Sequence, residues 1–183
     1  MEHVRKHVNK ILKREVRIRD DGILECLLTA KDLSGCLTKL RDDEKSKFRV
    51  LTDIFAVDYQ ARKIRFEVLY MLLSLEFNVR MCCKVPLPEG DSVPSVTPIF
   101  GAAGWFEREV FDMYGILFEG HKDLRRILTD YGFSGHPMLK DFPLTGYDEV
   151  RYDLHKKQVV YQPVDLQQDF RNFDAISPWK GNK

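Results

Sequence analysis

The sequence lacks an excess of charge of either sign. Its 29 lysine and arginine residues balance 28 aspartate and glutamate residues, which leaves a formal net charge of +1. Proteins that bind nucleic acid or an anionic membrane surface usually carry a basic patch, and this balance gives no indication of one. Long apolar runs are missing too. The richest, residues 68–77, is interrupted by Glu76 and falls well short of the roughly 20 residues that cross a bilayer.

Several site signatures are also absent. The four cysteines, Cys26, Cys36, Cys82 and Cys83, form no Cys-x-x-Cys pair. Zinc and iron–sulfur sites normally need Cys or His ligands at short, repeated spacings, so we expect buried thiols in a reducing compartment. The sequence contains no P-loop, Gly-x-Gly-x-x-Gly fingerprint or Gly-x-Ser-x-Gly elbow. It therefore predicts neither a nucleotide site nor a serine nucleophile.

What is present predicts an α+β core over residues 1–88. Apolar residues at helical spacing predict a first helix near the N-terminus, and the turn at residues 20–22 predicts a hairpin between strands 16–19 and 23–29. A second helix comes next, with Asp32 or Ser34 as its cap. Alternating apolar residues predict strands over residues 49–58, 64–72 and 77–85. The expected fold is a two-layer sandwich, a mixed sheet with helices on one face.

Residues 89–129 read as a proline-rich linker and one helix that completes this core. Ile99, Ala103, Phe106, Val110 and Met113 recur at spacings of four and three, which predicts an apolar stripe ending near a Gly115 C-cap. Charged residues lie on the opposite side of this helix. Of these, Arg108 and Asp112 are four residues apart, so we expect them to pair along the helix.

Residues 130–183 differ from the rest of the chain in composition and periodicity. They contain nine aromatic residues among 54, yet glycine and proline interrupt them and no helical or strand period is sustained. A disordered tail would be poor in aromatics, and a compact domain would show periodicity. We therefore expect a long extended C-terminal arm that buries its aromatic side chains against a partner protein.

The charged residues of the predicted helix, together with a histidine after it, offer one candidate acid–base or metal centre. Glu107 and Glu109 diverge by about 200° on a helix, which leaves Glu109, Asp112 and His121 as candidate ligands. This is the basis of an alternative hypothesis, a small stand-alone metal-dependent hydrolase. Charged helix faces are more often solvated or ion-paired, so the structural interpretation is preferred. A generic soluble adaptor is a third hypothesis.

The helix and the segment after it resemble a known family. The matching blocks are residues 107–115, His121, and residues 123–133, 135–137, 140–147 and 151–153, with further blocks at 51–54, 57–59 and 66–70. Together they are similar to the 30 kDa subunit family of complex I, the respiratory NADH:ubiquinone oxidoreductase. One position departs from the pattern, since Leu139 stands where the family usually has arginine.

The resemblance implies a non-catalytic core subunit of the peripheral arm, active only as part of the NADH:ubiquinone reductase. Such a subunit would bind no cofactor itself, because FMN and the iron–sulfur clusters belong to other subunits. Its partners would be the 49 kDa-type quinone-site subunit and other peripheral-arm subunits, with no nucleic acid and no membrane span. Structural and interface roles would fall to Glu107, Arg108, Glu109, Asp112, His121, Arg125, Arg126, Asp141, Phe142 and Arg151.

The resemblance also implies a location. A place on the matrix side of the mitochondrial inner membrane is the first expectation, and the cytoplasmic face of a bacterial plasma membrane is the alternative. Membership of a related membrane-bound hydrogenase complex is a more distant option.

Overall fold

The computed structural model describes residues 1–168. The chain divides into two compact units, Met1–Phe142 and Pro143–Lys183. Residues 130–142, assigned from the sequence to the C-terminal arm, are part of the first unit. That unit contains, in chain order, α1 (Glu2–Leu12), β1 (Val16–Ile18), β2 (Leu24–Leu27), α2 (Ala30–Asp42), β3 (Val50–Asp58), β4 (Phe66–Ser74), β5 (Val79–Leu87), β6 (Ser92–Pro94), α3 (Ala103–Tyr114) and β7 (Leu117–Glu119).

Five of these strands form one mixed sheet in the order β1-β2-β5-β4-β3. The pair β2 and β5 is parallel, whereas β1–β2, β3–β4 and β4–β5 are antiparallel. Strand β3 therefore lies at one edge of the sheet. A separate parallel pair, β6 and β7, comes after the sheet in sequence and brackets α3.

The alternation of apolar residues places one face of the sheet in the core. In β4 the residues Val68, Tyr70 and Leu72 are fully buried, opposite Val85, Cys83 and Met81 of β5. Buried residues from all three helices join them in a single hydrophobic cluster. The predicted α+β sandwich is thus confirmed, while the strand ends differ. Ile64 and Phe77, both expected in strands, lie outside them and are exposed.

The N-cap of helix α2 differs from the one that the sequence predicts. The cap is Thr29, whose hydroxyl oxygen accepts a hydrogen bond from the Asp32 main-chain N–H and donates one to the Asp32 carboxylate. The N-cap is the residue just before the first helical one, and Asp32 occupies the third helical position. Asp32 and Ser34 are therefore inside the helix.

Helix α3 packs beside the edge strand β3 and ends as predicted. Gly115 adopts a left-handed conformation with φ of 75°, and its N–H donates to the Phe111 carbonyl. The helix begins at Ala103, so Ile99 belongs to the preceding turn rather than to the stripe. Across residues 1–168, the structure contains no helix with the length and apolar character needed to span a membrane.

The second unit contains a β-hairpin formed by β8 (Asp148–Asp153) and β9 (Gln158–Pro163). The sequence predicted an extended arm here without a sustained strand period. The structure forms two extended strands of six residues each, in which Val150 and Tyr152 alternate with charged residues over too short a stretch to stand out. Its turn is held by the Asp153 carboxylate, which accepts main-chain N–H groups of His155 and Lys156. Residues 169–183 of the predicted arm, with Phe170, Phe173 and Trp179, lie outside the described residues.

Candidate functional site

The C-terminal half of α3 holds a buried carboxylate that organises the chain after the helix. The Asp112 side chain is fully buried, and its Oδ2 accepts main-chain N–H groups of Ile127, Leu128 and Thr129 at 3.0, 2.7 and 3.0 Å. Its Oδ1 accepts the Thr129 hydroxyl at 2.6 Å and the Arg126 guanidinium at 2.8 Å. One carboxylate therefore fixes a whole turn of the following loop.

These contacts determine the ionisation of Asp112. Burial by itself raises the pKa of Asp112, but the Thr129 hydroxyl, the main-chain N–H groups of Thr129 and Leu128, and the Arg126 guanidinium together hold the pKa well below its usual range. A carboxylate that is ionised, buried and fully hydrogen-bonded is suited to structural anchoring. Both oxygens are already engaged, which leaves little capacity to accept a proton from a substrate.

Arg126 extends the anchor to the next segment. Its second guanidinium nitrogen donates to the Gly135 carbonyl at 2.9 Å, and the guanidinium lies 5.8 Å from the Phe133 ring centroid. The helix end makes two further contacts with this segment: His136 Nδ1 is 2.9 Å from the Asp112 carbonyl oxygen, and the Met138 N–H donates to the Met113 carbonyl at 3.0 Å. Residues 126–138 are thus tied to α3 at several points.

A second anchor lies at the end of the edge strand. Asp58, whose side chain is fully buried, pairs through both carboxylate oxygens with Arg65 at 2.9 Å. Asp58 also accepts the Lys140 main-chain N–H at 2.9 Å, and Arg65 reaches Asp141 at 2.9 Å. The Arg65 guanidinium holds the pKa of Asp58 below its usual range despite burial. The end of the β3–β4 hairpin is therefore connected to residues 140–141.

The first half of α3 carries a third buried carboxyl group. Glu107 accepts the Val96 N–H and the Ser95 hydroxyl, each at 2.7 Å. Burial raises the pKa of Glu107, although these hydrogen bonds and nearby His121 oppose the shift. His121 Nδ1 accepts the Asp123 N–H at 3.0 Å, and its Nε2 lies 3.1 Å from the Gly104 carbonyl oxygen. His121 thus connects the helix to the following loop and lies 3.8 Å from the Glu107 carboxylate.

Comparison with known proteins places this arrangement in a family. Residues 26–148 match the model of the respiratory-chain NADH dehydrogenase, 30 Kd subunit. The chain belongs to this family. It is 57% identical over 181 residues to the C subunit of NADH-quinone oxidoreductase from Wolbachia sp. subsp. Brugia malayi, covering 99% of this chain and 95% of that protein.

Further relatives support the assignment. The corresponding C subunit from Brucella abortus strain 2308 is 58% identical over 160 residues, covering 87% of this chain and 79% of that protein. Among solved structures, a chain of the membrane-bound sulfane sulfur reductase, an archaeal respiratory membrane complex, is similar with a TM-score of 0.69 at 27% identity. That match covers 78% of this chain and 85% of the other.

In this member of the 30 kDa subunit family, the expected pair along α3 is wrong. Asp112 pairs with Arg126, and Arg108 instead donates to the main-chain carbonyls of Arg125 and Arg126 at 3.1 and 3.3 Å. Arg125 itself is exposed and pairs with Asp123. Both side chains contact the segment after the helix, where main-chain and side-chain groups of residues 125–129 supply the partners of each.

The remaining signature residues are dispersed. Phe142 stacks on Phe133 with a centroid distance of 5.8 Å, and Glu109 lies at the side of a cavity. Arg151 lies exposed on β8 in the second unit. Leu139, the departure from the family pattern, packs against the hydrophobic cluster.

The candidate metal site is not assembled. Asp112 is enclosed by residues 126–129, while His121 lies beside Glu107 and Gly104. Within residues 1–168, no group of three His, Cys, Asp or Glu side chains is placed to hold a metal ion. The hypothesis that Glu109, Asp112 and His121 converge is therefore wrong.

Local sequence patterns do not identify Asp58, Arg65 or Ser95 as members of the site. Asp58 could have been noticed, because it is the last residue of β3 and lies on the same face of the strand as Ile54 and Ala56, which are buried. A carboxylate in line with core residues needs a partner. Arg65, however, reads from the sequence as the solvent-facing residue of a half-buried strand, so nothing local identified it.

Proposed function

We propose that the chain is a non-catalytic core subunit of the peripheral arm of a proton-pumping NADH:quinone oxidoreductase, complex I. In this role it positions the 49 kDa-type subunit that forms the quinone site, and so supports electron transfer from NADH to ubiquinone without taking part in the chemistry. The names of its bacterial relatives, which share more than half of their aligned residues with it, support this assignment.

The main support for a scaffold role is the exposed apolar surface of the hairpin in the second unit. Its strands present Val150, Tyr152, Val159 and Tyr161 with exposed fractions of 50%, 57%, 59% and 64%. A lone two-stranded hairpin is marginally stable in water unless its apolar side chains pack against something else. We infer that this hairpin is covered by another subunit in the assembled complex.

The anchors on α3 and at the end of β3 support a structural rather than a catalytic role. The carboxylate oxygens of Asp58, Glu107 and Asp112 accept hydrogen bonds from main-chain N–H groups, hydroxyls and arginines of the same chain. Such groups fix a loop in place and have no open side toward a substrate. The reductase activity accordingly belongs to the whole complex, with no active site in this subunit.

The cysteines support a cofactor-free subunit. All four are buried, and Cys26 and Cys83 face each other in the core with 3.6 Å between their sulfur atoms. Burial raises the pKa of the Cys82 thiol to about 11 and also raises the pKa of Cys36. A cluster ligand must be a thiolate, so these thiols are poorly suited to bind iron. FMN and iron–sulfur clusters are assigned to other subunits.

The expected location follows from the complex. The subunit would sit peripherally on the side of the membrane where NADH is oxidised, either the mitochondrial matrix or the bacterial cytoplasm. A second candidate, a role in a related membrane-bound respiratory complex, is favoured by the similarity to the sulfane sulfur reductase chain. The lower identity of that match makes it the weaker alternative.

The test is a pull-down of the tagged chain from a mild-detergent membrane extract, followed by a native gel stained for NADH dehydrogenase activity. We expect the chain to migrate with a very large NADH-active band that contains the quinone-site subunit. A small species without that activity would contradict the proposal. A large complex with hydrogenase or sulfur reductase activity would support the second candidate instead.

A matched pair of variants tests the hairpin. Tyr152 and Val159 face each other across the strands, so the double variant Tyr152→Ala/Val159→Ala removes one cross-strand pair and its exposed apolar surface. We expect it to leave the first unit folded and to reduce incorporation. The control is Leu75→Ala, because Leu75 is 72% exposed in the turn between β4 and β5. Equal incorporation of both variants would argue against the hairpin as the binding element.

A further inference from the structure

A cavity of about 280 Å³ opens between the edge strand β3 and helix α3. Phe55, Val110, Met113, Tyr114 and Met138 give it mainly apolar walls, and two carboxylate residues, Asp53 and Glu109, also line it. Phe55 and Met138 are 38% and 48% exposed, so the cavity is accessible from outside the unit. We call it the β3–α3 groove.

The two acidic residues of the groove differ from the anchoring carboxylates nearby. Asp58 and Asp112 are each paired with an arginine, and Glu107 is hydrogen-bonded on both oxygens. Neither Asp53 nor Glu109 forms a side-chain hydrogen bond or ion pair with any residue among 1–168. The groove therefore combines apolar walls with two acidic side chains that have no direct partner among residues 1–168.

The size of the groove limits what it can hold. Sites for drug-sized ligands and cofactors have volumes of about 300–1,000 Å³ and enclose most of the ligand. An open groove of 280 Å³ fits one large side chain better than a quinone or nucleotide. It also lies beside the outermost strand of the sheet, where another chain can approach without crossing the rest of the unit.

We propose that the β3–α3 groove binds an arginine side chain of a neighbouring subunit in the assembled complex. The aliphatic part of arginine matches the apolar walls, and its planar guanidinium can donate to two carboxylates while stacking on the Tyr114 ring. Arginine and tyrosine are also among the residues that contribute most to binding at protein interfaces. Charge complementarity thus selects a basic side chain over a purely apolar one.

This inference rests on the proposed function, because the arginine belongs to a partner subunit of the respiratory complex. The first test uses the double variant Asp53→Asn/Glu109→Gln, which preserves side-chain size and removes both charges. The control is Asp20→Asn/Asp91→Asn, since both are exposed aspartates with no side-chain partner among the described residues. Each variant replaces the wild-type chain in cells that assemble the complex.

The measured quantity is the rate at which the tagged chain leaves the purified complex during a salt wash. We expect about tenfold faster dissociation for the groove variant and no change for the control, because removing charges from a paired interface mainly raises the dissociation rate. An unchanged rate for the groove variant, in a complex that contains the chain, would overturn the groove proposal alone. Absence of the wild-type chain from any NADH-active complex would overturn the proposed function as well.

Cross-linking then identifies the occupant. A photoreactive phenylalanine analogue at position 55 is compared with one at position 77, because Phe55 and Phe77 have similar exposed fractions of 38% and 40%. We expect an adduct from position 55 to a partner peptide that contains arginine. Replacing that arginine by glutamate should weaken assembly, and Glu109→Lys should restore it. An adduct to lipid or to a peptide without a basic residue would overturn the proposal.

Discussion

Arg126 and Asp112 form an ion pair with 2.8 Å between Nη1 and Oδ1, across a loop that separates them by 14 residues. Asp112 is fully buried, whereas the Arg126 side chain retains 27% of its exposure. The pair adds to four further hydrogen bonds from residues 127–129 to the same carboxylate. The helix end and the loop after it thereby behave as one structural element.

Removing the charge at this position should weaken the first unit. In Asp112→Asn, an NH2 group replaces one of the two accepting oxygens, so the donors that faced this oxygen are left unsatisfied. Arg126 also loses its anionic partner, while its hydrogen bond to the Gly135 carbonyl remains. We expect the free energy of unfolding to fall by about 2–4 kcal/mol, somewhat less than for a fully buried pair because Arg126 is partly exposed. Urea denaturation of the purified chain measures the change.

Two observations complete that experiment. Hydrogen exchange of the Ile127, Leu128 and Thr129 amides should accelerate in the variant, because those N–H groups donate to Asp112. The control is Asp123→Asn, whose carboxylate pairs with Arg125 on the surface and should matter little. Comparable losses for both variants would contradict the anchoring role.

The helix end also depends on a glycine contact. A Cβ atom added at Gly115 would lie 2.7 Å from the His136 ring, and the residue has φ of 75°. Gly120 has a similar φ of 81° but open space around it, so Gly120→Ala measures the backbone strain alone, about 1–2 kcal/mol. We expect Gly115→Ala to cost roughly 1–3 kcal/mol more than this control.

A second substitution, at His136, separates backbone strain at position 115 from steric contact with the His136 ring. Removing the ring with His136→Ala should lower the additional cost of Gly115→Ala in the double variant, as measured by thermal or urea unfolding. If the cost of Gly115→Ala is the same with and without His136, the close packing of the two residues is not the cause.

The buried Glu107 should make stability depend on pH in one direction. Because burial raises its pKa, the folded chain keeps a proton that the unfolded chain has already released, so the contribution of Glu107 to stability falls as the pH rises through this window. Glu107→Gln keeps the shape and can still accept the Val96 N–H. The free energy of unfolding of this variant, relative to wild type, should therefore increase from the ordinary glutamate pKa of about 4.3 toward neutral pH. A difference that does not change with pH would contradict this.

Asp58 and Asp112 should act in the opposite direction. Their pKa values are lowered in the folded state, so their stabilisation is complete above the ordinary aspartate pKa of about 3.9 and is lost as the pH falls below it. We expect steep acid unfolding in wild type and a shallower dependence in Asp112→Asn. Urea midpoints measured between about pH 3 and 7 would reveal the difference, and equal slopes would count against it.

Truncation should distinguish two possible boundaries. A chain ending after Phe142 retains every contact of the first unit, whereas one ending after Thr129 loses the contacts of Arg126 with Gly135 and of Asp58 with Lys140. We expect the first truncation to fold cooperatively and the second to be clearly less stable. Equal denaturation midpoints would show that residues 130–142 contribute little to the fold.

Much of the architecture was predictable because it depends on local patterns. The alternation along β4 and β5, the turn before β2 and the glycine that ends α3 all appear within a few residues of sequence. The errors were also local. Thr29 rather than Asp32 caps α2, and Ile64 and Phe77 lie just outside their strands. Burial of a strand end depends on neighbouring elements that local periodicity does not identify.

The α3 residues of the candidate site could be predicted from the sequence, but the partner of each charged residue could not. The charged residues of α3 stood out from the sequence, and the family blocks marked the loop after it. Helical spacing predicted that Asp112 would pair with Arg108, since a pair four residues apart needs no tertiary information. The structure pairs Asp112 with Arg126 instead, and Asp58 with Arg65. Asp58 also accepts the main-chain N–H of Lys140, which is 82 residues away.

The sequence by itself determined the α+β class, the positions of most helices and strands, and membership of a family with a specific block of signature residues. The tertiary structure decided which charges are buried, which partner each one has, and that Glu109 and Asp53 share a groove. The physical reason is that periodicity reports which face of an element is apolar, whereas ion pairing depends on how distant segments come together. A buried carboxylate must be satisfied by whichever donors the folded chain brings to it.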